Sequence, residues 1–161
     1  MQKIETKPQE RYHYTECGLD NIYLLNGFSF VETPRGRAVH IQDMKGLHRA
    51  IGEMLVSEKK HLAGNEFRFL RHELNMTQAN LAALLGVDVQ ALARWEKKKT
   101  ESVPGPAQRV IRLLYNETIN GNQEICGPLK ELADLDEMIF EEPEIDFQQD
   151  NQEGWQPATA A

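Results

Sequence analysis

Residues 76–99, M-T-Q-A-N-L-A-A-L-L-G-V-D-V-Q-A-L-A-R-W-E-K-K-K, confine this chain more tightly than any other stretch, because two short helical periods meet at a single glycine. Thr77 is suited to cap a first helix, its hydroxyl accepting from an otherwise unpaired backbone N–H. That helix runs through 78–85 with Leu81, Leu84 and Leu85 on one apolar face. Gly86 ends it, since the left-handed backbone common at this position costs a β-carbon about 1 kcal/mol and a glycine nothing. Val87 follows as an apolar plug for the corner, and Asp88 caps a second helix that turns Leu92 and Trp95 inward and Val89, Gln90 and Arg94 outward. Ala82 is small enough to let the two helices meet.

Two amphipathic helices of an all-α core would use the same apolar pattern. Packing alone gives no reason for Thr77-Gln78 at the start, Arg94-Trp95-Glu96 near the end and the triple lysine that follows. Together they read as a helix-turn-helix whose second helix lies in the major groove of DNA. Arg94 suits bidentate recognition of guanine O6 and N7, and Gln90 pairs with adenine N6 and N7; each such contact gives roughly 1–3 kcal/mol of discrimination. The plainer readings are a solvated Gln90 and an Arg94 salt-bridged to Glu96 or a neighbour. Val89 shares the outward face, while Gln78, Lys97, Lys98 and Lys99 are better placed for phosphates, contacts that hold register without carrying sequence information.

The string T-Q-x-x-L-A-x-x-L-G-V at 77–87, with A-L-A-R-W-E at 91–96, resembles the phage-repressor (Cro/cI-like, xenobiotic-response-element) family. The resemblance implies a five-helix domain that binds double-stranded DNA, usually as a dimer. Because one recognition helix reads only a few base pairs, a homodimer on a palindromic operator with half-sites about 10 base pairs apart is expected. Leu113 and Tyr115 on the last helix of the domain, and the apolar face of residues 129–139, are the surfaces available for it.

An acidic chain does not contradict this reading once the charge is located. Up to Asn116 the sequence holds 17 Lys and Arg against 13 Asp and Glu; from Glu117 onward it holds 1 against 12, so a segment of net +4 is joined to one of net −11. Such a tail, tethered beside a basic groove, either competes with DNA or serves solubility. The 161 residues have room for one compact domain or two small ones, and a hydrophobic fraction of 40% supports a core. Cys17 and Cys126 have no disulfide or zinc-clip spacing, and no run approaches the roughly 18 apolar residues of a membrane span. The expectation is a cytoplasmic protein with reduced thiols and no membrane contact.

The fold expected is α+β: a small N-terminal antiparallel β-sheet plus helix, then an all-α five-helix repressor-type domain and an acidic tail. Residues 1–11 are polar and expected to be disordered, 12–62 form the sheet and helix, 65–118 the DNA-binding domain, and 119–161 the tail, with a short helix at 128–140. Within the sheet, I-Y-L-L at 22–25, Asn26-Gly27 and F-S-F-V-E-T at 28–33 signal a hairpin; A-V-H-I at 38–41 adds a third strand after Pro34-Arg35-Gly36. Asp43 caps a helix carrying Leu47, Ile51, Met54 and Leu55, and Ala63-Gly64 reads as a joint. Helices at 65–75, with Phe67, Leu70 and Leu74 inward, and 106–116, with Val110, Ile111 and Leu114 inward, flank the motif. Beyond Phe140 the tail is too poor in apolar residues to offset the cost of ordering it.

A β-hairpin unit ahead of a repressor-type motif, with C-G-L-D-N-I-Y-L-L-N-G-F at 17–28, is similar to the MqsA-type (YgiT-type) antitoxin regulators. That likeness implies an N-terminal zinc domain that binds a toxin, a C-terminal domain that represses the operon, and base reading by Gln90 and Arg94. One departure is large: the family's two C-x-x-C pairs are missing, with Tyr14 where a first cysteine would precede Cys17. Four-thiolate zinc is therefore impossible within one chain, and His13, Cys17, His40 and His48 have no recognised ligand spacing. Neither a metal nor another cofactor is expected; Tyr12, Tyr14, Tyr23, Phe28 and Phe30 are expected to form the core in its place.

The functional expectation is a sequence-specific repressor, the autoregulating antitoxin of a type II toxin–antitoxin pair with a protein toxin as partner, or alternatively a stand-alone phage- or plasmid-type regulator. A metal-dependent enzyme is disfavoured because no nucleophile, base and orienter occur at a workable spacing.

Overall fold

Each glycine, cap and apolar stripe in the middle of the chain becomes a helix boundary or a buried face in the computed structural model, which describes residues 11–121, 146–150, 152 and 154–158. Five helices follow one another: α1 (Met44–Ser57), α2 (Gly64–Glu73), α3 (Gln78–Leu85), α4 (Val89–Lys97) and α5 (Gly105–Ile119). Asp43 caps α1, its carboxylate accepting from the Gly46 N–H at 3.1 Å. Pro106 sits in the first turn of α5, where a missing N–H costs nothing, and α5 runs to Ile119 rather than ending at Asn116. The core is continuous from Tyr14 to Tyr115, with Leu62, Phe67, Leu70, Leu81, Leu92 and Ile111 fully buried.

The helical body is larger than residues 65–118. Gly52 of α1 lies under the Tyr115 ring of α5, so closely that a Cβ there would overlap the phenol oxygen. Arg112 of α5 then closes the C-terminus of α1, donating to the carbonyls of Leu55 (3.1 Å), Val56 (2.6 Å) and Lys59 (2.7 Å). The Leu55 and Val56 carbonyls lie in the last turn of α1, where no later helical N–H reaches them, and Lys59 lies two residues past its end; a guanidinium is well suited to several carbonyls at once. By its packing α1 therefore belongs to the five-helix body, although the sequence grouped it with the sheet. Nor are Ala63 and Gly64 a loose joint. Gly64 begins α2, its N–H bonds the Glu101 carbonyl at 3.0 Å, and a Cβ on it would overlap the backbone oxygens of Trp95 and Lys98 at the end of α4. Buried Gln108 completes the seam, accepting from the Leu62 N–H at 2.8 Å and donating to the Val103 carbonyl at 2.6 Å.

The N-terminal strands pair differently from the expectation. Tyr23–Leu24 (β2) does not fold back on Phe28–Thr33 (β3) through Asn26-Gly27; it pairs antiparallel with Tyr12–His13 (β1), while β3 pairs with Gly36–Ile41 (β4) around Pro34-Arg35. Two two-stranded sheets replace one of three strands. A type I′ turn needs positive φ at both central residues, and here only Gly27 has it, φ 76, so the dipeptide is a corner between sheets. The aromatic set divides too. Tyr12, Phe28 and Phe30 touch one another, but Phe30 is 47% exposed; Tyr23, 41% exposed, stacks on His13, and only Tyr14 is buried. Tyr14 and Leu19 plug the unit into the helical body.

Ordered strands also occur where the tail was expected to have none. Phe147–Asp150 (β5) pairs antiparallel with Gly154–Pro157 (β6), leaving the side chains of Phe147 and Trp155 exposed. The helix expected at 128–140 and Cys126 lie outside the described residues. Among the described residues no helix is long and apolar enough to cross a membrane.

Candidate nucleic-acid interface

The turn between α3 and α4 is built by the residues whose chemistry demands it. Thr77 Oγ1 accepts from the Asn80 N–H at 3.1 Å and Asp88 Oδ1 from the Gln90 N–H at 2.9 Å, so both helices carry side-chain N-caps. Gly86 takes φ 64, its N–H bonding the Ala83 carbonyl at 3.2 Å and the Val87 N–H the Ala82 carbonyl at 3.0 Å. This paired closure satisfies two carbonyls at the end of α3 and turns Val87 inward. Leu81 and Ala82 of α3 and Leu92 of α4 are fully buried, and Trp95 meets Phe67 of α2 edge to face at 6.3 Å.

Opposite that buried stripe, Val89, Gln90 and Arg94 are exposed, with Gln90 and Arg94 one turn apart on the same side of α4. Arg94 is not engaged by Glu96. That carboxylate is buried and taken by Arg71 of α2, whose Nε donates to Oε1 at 2.6 Å and Nη2 to Oε2 at 3.0 Å. Arg71 Nη1 also donates to the Met76 carbonyl at 2.8 Å, tying the α2–α3 corner to the same point. Gln78 meets this network as well, its amide donating to Glu96 Oε2 at 2.7 Å. Expected at a phosphate, Gln78 thus has an internal partner that fixes its orientation, with one amide hydrogen and the carbonyl oxygen left over.

Lys97, Lys98 and Lys99 are exposed where α4 ends. Lys98 pairs with Glu101 at 3.1 Å, a contact worth about 0–1 kcal/mol at such exposure and readily exchanged for a phosphate. Lys99 also borders a cleft of about 380 Å³ between the loop at 16–18, α2 and the end of α4. Burial, then the charges of Arg71 and Arg68, holds the His72 imidazole in this cleft below its ordinary pKa, while burial pushes the Cys17 thiol up. Across from them His48 spans two elements: Nδ1 lies 2.8 Å from Glu73 Oε1 and Nε2 lies 2.8 Å from the Tyr14 hydroxyl. The carboxylate requires the Nδ1–H donor, so Nε2 accepts from Tyr14 when the ring is neutral.

His13 contacts the Asp20 carbonyl at 2.7 Å, and His40 is exposed on β4. Among the described residues no group of three or more His, Cys, Asp or Glu side chains is placed to hold a metal ion. Sequence reading missed Arg71, Arg112 and Gln108, and named Glu96 only as a partner for Arg94. Arg71 carried a signal, since it adjoins Leu70 near the inner stripe of its helix, and a charge so placed demands a buried partner.

Compared with known families, residues 67–107, from the middle of α2 into α5, match the helix-turn-helix model, about a quarter of the chain. No curated protein and no solved structure matches the chain.

Proposed function

We propose that the protein is a sequence-specific transcriptional repressor that places α4 in the major groove of a palindromic operator and acts as a homodimer. The observation that carries the reading is the division of α4: its one carboxylate, Glu96, is neutralised inside by Arg71, while Val89, Gln90 and Arg94 stand exposed and Lys97, Lys98 and Lys99 follow. Such a face offers donors to base edges and cations to phosphates without a competing acid within the helix. For pairing, Leu113 of α5 is available at 44% exposure, whereas Tyr115 is buried against α1 and does not serve. The function goes further in our reading, to the autoregulating antitoxin of a type II toxin–antitoxin pair. What supports this is an N-terminal unit that leaves Tyr23 and Leu25 exposed at β2, apolar side chains a toxin would cover.

Operator selection from random duplexes tests the central reading. Arg94→Ala is expected to cost about 1–3 kcal/mol and to flatten the preference at one base pair per half-site, whereas Lys98→Ala weakens all sequences alike and lowers the log-log salt slope by about one unit. A uniform loss for Arg94→Ala would move that residue to the phosphate class. Light scattering with Leu113→Glu tests the dimer: a wild-type monomer protecting a single half-site would sink it. Co-purification from the native cell tests the toxin.

A further inference from the structure

The β3–β4 hairpin is a projecting arm whose chemistry the helix-turn-helix leaves unexplained. Its two six-residue strands span about 20 Å at ~3.4 Å per residue, and every residue from Ser29 to Ala38 is exposed. Nothing pairs with either outer edge among the described residues. At the free end stand Pro34, Arg35, Gly36 and Arg37, with Gly36 at φ 116, a conformation that a residue bearing a β-carbon rarely adopts. Thr33 Oγ1 donates to the Gly36 carbonyl at 2.6 Å and holds the tip. The Arg37 guanidinium lies 3.8 Å over the Phe30 ring, a contact that leaves its N–H donors available to acceptors. Neither Arg35 nor Arg37 is paired with a carboxylate among the described residues, and the hairpin's one acid, Glu32, lies opposite Arg37.

We infer that this arm is a second DNA contact, its tip entering the minor groove of A·T-rich duplex that flanks the site read by α4. The inference rests on the DNA-binding reading of α4 and adds a surface to it. Two guanidiniums separated by one glycine match what a narrow minor groove attracts, because A·T tracts concentrate negative potential there and no side chain between the arginines holds the backbone away. The location fits. The Gln42 N–H closes the base of the arm on the Gly27 carbonyl at 2.8 Å, next to Asp43, the N-cap of α1, and the 16–18 loop of the same unit borders a cleft with Lys99, just beyond α4.

The test uses the full chain and an operator it has selected, with flanks of A·T, inosine·C or G·C. Inosine·C keeps the minor-groove pattern of A·T, and G·C adds the guanine N2 amino group to the groove floor. The expected result is equal binding to A·T and inosine·C flanks and roughly tenfold weaker binding to G·C flanks. Arg35→Ala, which removes no ion pair among the described residues, should erase that flank preference, lower the log-log salt slope by about one unit and leave the base preference under α4 intact. Arg37→Ala should do the same, with Arg37→Lys restoring the slope but not the flank preference. Wild-type binding indifferent to the flank, or an Arg35→Ala protein that keeps the preference, overturns the inference and returns the arm to protein docking. Arg94→Ala separates the two readings: if it loses operator preference while Arg35→Ala changes nothing, only the arm falls; if the chain selects no sequence, both fall.

Discussion

The five helices and the N-terminal strands solve the same problem, how to leave no polar group stranded, in opposite ways. A helix satisfies its backbone internally, so α2, α3, α4 and α5 bury whole apolar stripes, and the few charges that enter, Arg71 and Glu96 above all, are fully bonded; no buried side-chain polar atom among the described residues lacks a partner. The two-stranded sheets satisfy half of their backbone and leave the rest to solvent. The unit at 12–41 contributes only Tyr14 and Leu19 to the buried core among the described residues, and both lie in the loop between β1 and β2 rather than in a strand. A two-stranded pair is marginal by itself, so its order is borrowed from the body it plugs into. The lesson is a division of labour: rigidity sits where the groove would be read, and exposure sits in the arm.

The largest test of that division removes the shared charge. Glu96→Ala leaves Arg71 buried without its carboxylate and frees Gln78, and a loss of about 3–5 kcal/mol in urea unfolding is expected. Glu96→Gln, which keeps acceptor and shape, should lose less. A cost below about 1 kcal/mol for the alanine would show that the three helices do not meet through that side chain.

Alkali probes the two regions side by side, because Tyr14 anchors the strands and Tyr115 the helices. Burial, which disfavours the phenolate, pushes both up to about 12. A folded-state pKa above the unfolded value near 10 means that the stabilisation is fully present below pH 10 and is lost as pH rises to about 12. Urea midpoints between pH 9 and 12 should therefore fall, and Tyr14→Phe and Tyr115→Phe should each remove part of the slope. If Tyr14→Phe leaves the slope as steep as before, the strand unit opens ahead of the helices and the two do not unfold together.

The smallest expected effect is on stability after truncation beyond Gly121, where α5 has already ended. The cut removes 11 carboxylates and one lysine, so unfolding should shift by no more than about 0.5 kcal/mol while affinity for random DNA rises. Unchanged non-specific affinity and salt slope would dissociate the tail from the DNA-binding face.

What was legible in the sequence was what neighbours decide. Thr77, Gly86 and Asp88 announce their own geometry through bonds reaching two or three residues, and the outward set of Val89, Gln90 and Arg94 follows from helical period once Leu92 is inside. What stayed hidden depends on residues far apart in the chain. Asn26-Gly27 looks like a hairpin turn, yet the partner of Tyr23 is His13, and that choice is made by Tyr14 and Leu19 finding the helical core. Arg71 meets Glu96 across 25 positions, and Arg112 meets the end of α1 across more than 50. Such pairs carry only the faint mark of a charge beside an apolar stripe.

The chain's two tryptophans fall on opposite sides of this divide. Trp95 is half-buried against Phe67, whereas Trp155, 72% exposed, stands on the tail hairpin. The protein consequently carries two intrinsic optical reporters. Light emitted from the sheltered indole is blue-shifted and slow to quench with acrylamide, light from the tail red-shifted and quickly quenched. Trp155→Phe isolates the signal of the recognition helix and Trp95→Phe that of the tail, so the arrival of DNA at one and the response of the other become separately visible without any attached dye.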